Sequence, residues 1–345
     1  MRRTITRAGV ALLASAWLAA AAQSPAVDPQ QGDLAKAQAA QQLSQPLNNQ
    51  PVWQEVRSGA QQYTSLPGRE TSVLIQSEGQ TWRALRNGQV SVYGGWLLLA
   101  AVLVIASFYW YRGTIPVRGA PTGRKIRRFT TAQRVIHWSV AVTFVILAFS
   151  GLVILFGKNT LLPLVGYTLF SWLAILSKNL HNFVGPVFLV CSILMFVMYV
   201  RDNLPQKGDL HWLMKGGGMI SREHVPSHKF NAGEKTWFWL GTGVLGLVVG
   251  VSGLVLNFPN FDQTRSTMQI ANIVHLAGAL VFIAMSLFHM YMGTIGMGGA
   301  LDAMRTGYVD EAWAKEHHEY WYNDIKAGRI PAGDEAAPPM QHRPA

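Results

Sequence analysis

Five long apolar runs constrain the fold of this chain of 345 residues more than any other feature. They lie near residues 92–111, 137–156, 180–200, 236–257 and 272–296. Each is about 20 residues or longer, which as an α-helix is enough to cross a hydrocarbon core about 30 Å thick. A sixth run at 161–176 is shorter and contains Pro163 and Gly166, so it is predicted to form a loop with an interfacial helix. The sequence therefore predicts an all-α membrane protein.

The stretches between these runs predict how the chain is organised. The first residues combine Arg2, Arg3 and Arg7 with an apolar stretch and an A-x-A motif, which is typical of a secretory signal peptide; an uncleaved anchor helix is the alternative. The predicted parts are a signal peptide, an exported segment, an extra transmembrane helix, a four-helix domain and a C-terminal tail, at residues 1–22, 23–91, 92–111, 112–300 and 301–345.

Lysine and arginine concentrate in alternate loops. The segment 112–134 holds seven and the segment 201–235 holds six, whereas 157–179 holds two and 258–271 holds one. Basic loops stay on the cytoplasmic side of a membrane, so the first two and the C-terminal tail are predicted to be cytoplasmic and the N-terminal segment periplasmic. The net charge of +11 is thereby explained as a topology signal and not as a nucleic-acid-binding surface.

Four histidines lie in or at the edges of the apolar runs: His137, His181, His275 and His289. Such residues are costly in a membrane and indicate a functional site, although a lone one often only hydrogen-bonds a neighbouring helix. His275 and His289 are 14 residues apart. They therefore share a helix face and lie about 21 Å apart along the axis. On the predicted topology, His181 lies at the depth of His275, and His137 at the depth of His289.

Two bis-histidine pairs stacked across a bilayer are the ligands that two b-type haems require. Zinc prefers about four ligands, often cysteine or carboxylate, and the five long runs hold no Asp or Glu. The single cysteine, Cys191, excludes an internal disulfide, an iron–sulfur cluster and c-type haem attachment. The predicted fold is a four-helix transmembrane bundle holding two b haems, plus one extra N-terminal transmembrane helix.

A glycine stripe on the fourth run fits this reading in two ways. It consists of Gly243, Gly246, Gly250 and Gly253. Small residues at this spacing either let helices pack closely or leave clearance for a flat cofactor, and both uses are compatible.

Two further motifs complete the pattern. The loop 227–235 reads SHKFNAGEK, and the tail segment 316–322 reads EHHEYWY. With the four histidines, they make residues 120–330 resemble the cytochrome b (gamma) subunit of respiratory formate dehydrogenases. The histidines alone are shared with cytochromes of hydrogenases and of thiosulfate or polysulfide reductases, which remain the nearest alternative. A non-redox membrane anchor or transporter is the alternative from another class.

The resemblance implies a role for each matching residue. His181 and His275 would hold the haem nearer the outside, and His137 and His289 the haem nearer the cytoplasm. Two residues match positions that line a quinone pocket, Asn231 and Gly233, although on sequence alone a plain turn before a helix explains them better. His317 and His318 are expected to be exposed in the tail.

The resemblance also implies partners. The chain would take electrons from an iron–sulfur (beta) subunit and pass them to menaquinone or ubiquinone in the membrane. A molybdenum or tungsten catalytic (alpha) subunit would oxidise formate outside the membrane. This chain is not expected to oxidise formate by itself, because its sequence shows no site for formate.

Overall fold

The computed structural model describes residues 50–58, 78–221 and 223–331, and also residues 33, 36, 37, 40, 41 and 44. These residues include five helical stretches long and apolar enough to cross a membrane: Glu78–Arg112, Thr131–Thr160, Leu162–Tyr199, Ala232–Asn257 and Arg265–Gly296. The predicted all-α membrane fold is confirmed. The predicted signal peptide at 1–22 and most of the exported segment 23–91 lie outside the described residues.

The described α-helices are numbered in chain order. They are α1 Gln50–Ser58, α2 Glu78–Ala84, α3 Ser91–Arg112, α4 Thr131–Thr160, α5 Leu162–Tyr199, α6 Asp209–Met214, α7 Ala232–Trp237, α8 Gly246–Asn257, α9 Arg265–Tyr291, α10 Ala300–Thr306, α11 Glu311–His317 and α12 Glu319–Lys326. Single π-helical segments continue the first, fourth and fifth spans, at Leu85–Val90, Phe238–Leu245 and Met292–Gly296. Helices α1 and α2 and residues 258–270 belong to one compact unit, and the remaining described residues from 85 onward form another.

Helix α4 begins at a capping box. The Thr130 hydroxyl accepts the backbone N–H of Gln133 at 3.2 Å, and the Gln133 side chain accepts the N–H of Thr130 at 3.0 Å. Two of the backbone donors that the first turn leaves unpaired are thereby satisfied. This cap fixes where the helix carrying His137 leaves the loop.

The predicted loop at 157–179 is almost entirely helical. Helix α4 runs to Thr160, and α5 begins at Leu162 and continues to Tyr199. The break is confined to Gly166, whose φ of 74° and ψ of 172° are open to glycine without strain. The chain here stays apolar, so helix formation satisfies the backbone more fully than a loop would.

The C-terminal lobe, defined as residues 297–331, packs on one end of the helices. Its strand β2, Tyr308–Asp310, pairs antiparallel with β1, Lys125–Arg127, and Ile126 lies opposite Val309. The shared core has these buried members: Ile126, Phe129, Tyr199, Phe230, Phe238, Ala303, Val309, Trp313, Ala314 and Trp321. The described part of the predicted tail is thus a folded cap on the helices.

One buried cation lies inside this core. Arg128 is 6% exposed; its Nη2 donates to the Lys229 carbonyl at 2.7 Å and to the Glu234 carboxylate at 3.0 Å. The guanidinium also lies over the rings of Phe129 and Trp313, at 5.0 and 5.1 Å. Because its charge is paired and hydrogen-bonded, the guanidinium can be buried where the loop before α7 meets the C-terminal lobe.

Candidate functional site

The four membrane histidines form two pairs, as the sequence predicts from their depth. The ring centroids of His137 on α4 and His289 on α9 are 6.3 Å apart. Those of His181 on α5 and His275 on α9 are 6.0 Å apart. Two imidazoles bound on opposite sides of one metal ion, each at about 2 Å, place their centroids about 6 Å apart. Each pair therefore has the spacing of two ligands to a single ion.

Within the part of the chain that the structure describes, neither pair has a third side chain placed to bind a metal ion. Among the described residues, no group of three or more His, Cys, Asp or Glu side chains is arranged to hold a metal ion. A bare metal such as zinc would lack ligands here. The geometry instead fits a metal that brings its remaining ligands within a cofactor.

The rings of the second pair are held in a defined tautomer. His275 Nδ1 lies 2.9 Å from the Val249 carbonyl, which can only accept, so Nδ1 carries the proton. His181 Nδ1 lies 3.0 Å from Ser150 Oγ, whose own proton goes to the Leu147 carbonyl at 3.2 Å. In both rings, Nε2 is left as the unprotonated nitrogen that a metal needs.

The first pair is oriented differently. The Trp237 indole stacks on the His289 ring, with centroids 4.9 Å apart and planes 16° apart. His137 Nδ1 is buried and has no hydrogen-bond partner among the described residues. Aromatic packing therefore does more than hydrogen bonding to orient these rings.

A cavity of about 450 Å³, called the His275 cavity, lies beside the second pair. Glycines line it: Gly151, Gly185, Gly250 and Gly253. A Cβ at Gly151 would lie 3.2 Å from the His181 ring, and one at Gly253 would lie 3.1 Å from the His275 ring. A Cβ at Gly243 would instead meet Phe196 of α5 at 3.4 Å. The predicted glycine stripe thus serves both purposes, cavity clearance at one end and helix packing at the other.

A second cavity of about 470 Å³, called the His289 cavity, is lined by Asn231, Gly233 and Trp237. Asn231 is the N-cap of α7: its Oδ1 accepts the Glu234 N–H at 2.9 Å, and the Glu234 carboxylate accepts the Asn231 N–H at 2.9 Å. A Cβ at Gly233 would lie 2.9 Å from the Trp212 ring. The motif is therefore both a helix start and a cavity wall.

Comparison with known proteins adds the family. Residues 128–307, slightly more than half of the chain, match the family model described as prokaryotic cytochrome b561. The chain belongs to the prokaryotic cytochrome b561 family. It is an integral membrane protein, as its five apolar helices and this family both indicate.

Curated relatives of this cytochrome b561 family member are subunits of formate dehydrogenases. The chain is 32% identical over 205 residues to the "Formate dehydrogenase, cytochrome b556(fdo) subunit" of Escherichia coli K12, covering 58% of this chain and 93% of the relative. It is 30% identical over 208 residues to the nitrate-inducible "cytochrome b556(Fdn) subunit" of the same strain, covering 59% and 93%. The Haemophilus influenzae Rd counterpart is 27% identical over 217 residues, covering 58% and 83%. These relatives confirm the predicted resemblance.

A cytochrome b carries haem b, and this cytochrome b561 chain has the residues to hold it. The spacing of both histidine pairs, the free Nε2 atoms of His181 and His275 and the glycines against those two rings all fit a flat, iron-centred group. The His275 cavity is otherwise apolar where it borders the rings, with Phe144, Phe188 and Phe282 in its wall.

Those three phenylalanines were missed by the sequence analysis. Their ring centroids lie 4.8 to 6.3 Å apart. Each follows a membrane histidine by seven residues, at His137, His181 and His275, and Phe282 also precedes His289 by seven. Seven residues are nearly two helical turns, so each ring lies on its histidine's face about 10 Å further along. The phenylalanines form an aromatic layer between the two histidine pairs, and the repeated spacing was the signal for it.

The sequence also gave no indication that residues at the C-terminal end of the extra helix line a cavity. Arg112, Ile115 and Arg118 line the His289 cavity, although they precede the part of the chain that matches the family model. Arg112 Nε donates to the Met219 carbonyl at 3.0 Å, and Ile115 N–H donates to the Gly296 carbonyl at 2.8 Å. The C-terminal end of helix α3 therefore contributes to the wall of the His289 cavity.

The expectation that His317 and His318 are exposed is wrong. His318 is 1% exposed, and its Nδ1 donates to the His228 carbonyl at 2.6 Å. Burial, reinforced by the Arg128 charge, lowers the pKa of His318 to about 3, so the ring is neutral. His317 is half-buried and lines the His289 cavity. The polar sequence around them hid this burial, because their partners lie about 90 residues away along the chain.

Proposed function

We propose that the chain is the cytochrome b subunit of a membrane-bound formate dehydrogenase, anchoring the complex and reducing a membrane quinone. The single observation that carries the proposal is the presence of two histidine pairs at the spacing of one metal ion, at two depths of one helix bundle. The named relatives support the formate dehydrogenase assignment. Two b haems would supply one-electron transfer between an iron–sulfur partner and the quinone.

The chain's own residues hold the ligands in place for this task. His181 and His275 would bind one iron, and His137 and His289 the other. The Ser150 hydroxyl accepts the Nδ1 proton of His181, and the Val249 carbonyl accepts that of His275. These hydrogen bonds leave each Nε2 unprotonated and prevent the rings from rotating. The aromatic layer, in which Phe188 and Phe282 are buried, makes the space between the pairs apolar.

The quinone would bind in the His289 cavity. Because Asn231 Oδ1 is used by the cap of α7, the amide Nδ2 is the group left to donate to a quinone carbonyl. Gly233 gives room, since a Cβ there would meet both Trp212 and Asn231 Oδ1. This wall of the cavity can therefore orient a flat ring with one polar contact.

The remaining parts of the proposal concern orientation and partners. The distribution of Lys and Arg supports placing the His289 cavity near the cytoplasmic face and the His275 cavity near the periplasmic face. A periplasmic iron–sulfur (beta) subunit and a molybdenum or tungsten (alpha) subunit would then deliver electrons from formate. Protons for the quinol, whether menaquinol or ubiquinol, would come from the cytoplasm.

Haem content tests the core of this proposal. Dithionite-reduced minus oxidised spectra are recorded on the purified complex and on single alanine variants of the four histidines. We expect two haems per chain, with His137→Ala and His289→Ala removing one spectral component and His181→Ala and His275→Ala the other. His211→Ala, an exposed histidine on α6, is the matched control and keeps both components. A haem-free wild type, or losses unrelated to the pairs, refutes the proposal.

Formate-driven quinone reduction by the complex tests the proposed quinone site. Asn231→Asp preserves the N-cap but removes the amide donor, so we expect a higher KM for the quinone with unchanged haem spectra. Asn231→Ser, which also caps but cannot reach as far, is expected to behave similarly. Wild-type KM in both variants contradicts the placement of the quinone at Asn231.

A further inference from the structure

One end of the His275 cavity is polar and cationic, in contrast to its apolar body. The charged residues among its described lining, apart from the paired histidines, are Arg86 and Lys178, and no Asp or Glu joins them. Three amide side chains, Asn182, Asn257 and Asn272, line the same cavity. The cavity as a whole is therefore amphipathic, with two cations that no carboxylate of its wall neutralises.

The polar groups lie one turn beyond the paired histidines. Lys178 precedes His181 by three residues on α5, and Asn272 precedes His275 by three residues on α9. Residues three apart share a helix face and are about 4.5 Å apart along the axis. Both side chains thus extend from the same face as the ring below them, toward the same end of the cavity.

Arg86 lines the same cavity and belongs to the part of the chain that precedes residue 128, where the match to the family model begins. It lies in the π-helical turn Leu85–Val90 that leads into α3. Helix α3 is held close to α9 at Gly94, where any Cβ would overlap the Leu280 side chain, itself part of the cavity wall. Arg86 Nη1 donates to Asn87 Oδ1 at 2.7 Å, and this uses one of its five N–H donors.

A second observation points to a ligand at this end. Asn272 Oδ1 is buried and has no hydrogen-bond partner among the described residues. A buried amide without a partner is unfavourable. Because oxygen and nitrogen of an amide are exchangeable by a flip, this side chain can equally present its NH₂ to an acceptor.

We propose that Arg86 and Lys178 bind the propionate carboxylates of the haem held by His181 and His275, with the Asn272 amide as a third contact. Haem b is itself amphipathic, a flat apolar ring with two carboxylates on one edge, and the cavity matches that division. Arginine suits this task because its planar fork pairs with a carboxylate through two hydrogen bonds. The inference rests on the proposed haem site and gives Arg86, which lies before the part of the chain that matches the family model, a share in binding the cofactor.

Transfer of haem to apomyoglobin measures the contact directly. The full-length chain in its complex is mixed with excess apomyoglobin, and loss of the component assigned to the His181–His275 pair is followed. We expect Arg86→Gln to lose this haem about tenfold faster than wild type, and Arg86→Gln/Lys178→Gln faster still. Its midpoint potential should fall, because removing a positive charge favours the oxidised iron. Arg86→Lys should keep most of the wild-type behaviour.

Two controls separate charge pairing from a structural effect. Arg305→Gln removes an arginine whose side chain is 71% exposed on α10, and should change neither quantity. Reconstitution with haem dimethyl ester, which lacks the carboxylates, should abolish the difference between wild type and Arg86→Gln. If Arg86→Gln does not accumulate, haem transfer is measured on Lys178→Gln instead, since Lys178 is exposed and its substitution should not disturb folding. The expected increase in the rate of haem loss is smaller than for Arg86→Gln.

Three results would overturn the inference. The first is that Arg86→Gln/Lys178→Gln has the same rate of haem loss and the same midpoint potential as Arg305→Gln. The second is that wild type and Arg86→Gln still differ when both carry haem dimethyl ester. The third is that Arg86→Lys loses haem as fast as Arg86→Gln. A wild-type chain without haem refutes the proposed function as well, so the two failures are told apart by the first spectrum.

Discussion

Gly253→Ala adds one methyl group beside the ring of His275, a proposed haem ligand, and the effect can be worked out from the structure. The new Cβ would lie 3.1 Å from His275 Cε1. Carbon atoms in contact are normally about 3.5–4.0 Å apart, so the ring must retreat by about 0.4–0.9 Å. The ring cannot simply rotate, because its Nδ1 is held at 2.9 Å from the Val249 carbonyl. Ligand geometry tolerates only about 0.5 Å of error.

We therefore expect Gly253→Ala to weaken binding of one haem by about 10–100-fold, the usual cost of disturbing the surroundings of a metal ligand. The assay is total haem per chain by pyridine haemochrome after purification, and reduced-minus-oxidised spectra of the native protein then show which of the two components is lost. Gly95→Ala on α3 is the matched control, since its Cβ would meet only Phe156 at an ordinary 3.7 Å.

Loss of haem from Gly253→Ala would distinguish a steric effect on the His275 ring from a loss of helix stability. A glycine-to-alanine change inside a helix normally stabilises it by about 0.5–1 kcal/mol, so lost haem cannot be ascribed to a weaker helix. Full haem content and an unchanged spectrum in Gly253→Ala would show that the His275 ring does not need its present position, and the reasoning would fail.

Three further predictions follow from other contacts. Phe282→Ala should lower the free energy of unfolding by about 3–5 kcal/mol, because the ring is 5% exposed within the aromatic layer; thermal unfolding in detergent measures this, with the 69%-exposed Phe149→Ala as control. Ser150→Ala should raise the potential of the haem bound by His181 by about 20–60 mV, the equivalent of one hydrogen bond, in a redox titration; no change would mean that Ser150 does not tune the ligand. The C-terminal lobe should lose stability as pH falls from about 6.5 toward 3, because the unfolded chain takes up a proton that buried His318, with its pKa lowered to about 3, does not; Trp fluorescence against denaturant reads this, and His318→Gln should flatten the dependence.

Much of the site was predictable from the sequence because it depends on local periodicity. Bilayer thickness fixes the length of each span, and the helical period puts His275 and His289 on one face. Charge in the loops then gave a predicted depth for His137 and His181, and pairing by predicted depth matches the observed ring distances of 6.3 and 6.0 Å. The helical period and the distribution of charged residues between the loops were therefore sufficient to predict which histidines pair.

Local reasoning failed where two distant segments share one environment. The run 161–176 was expected to form a loop with an interfacial helix because Pro163 and Gly166 interrupt it, yet only Gly166 departs from helical geometry. His318 was expected to be exposed because its neighbours in sequence are polar, yet it is buried against His228.

The sequence by itself thus determined the membrane class, the spans and the four paired histidines, since helix length and periodicity are properties of each segment alone. Only the tertiary structure decided which nitrogen of His181 and His275 is free and how the C-terminal lobe is buried. It also decided that Arg86 and Arg112, which both precede the part of the chain that matches the family model, each border a cavity. These features come from contacts between helices far apart in the chain, and no local pattern encodes which side chains will meet there.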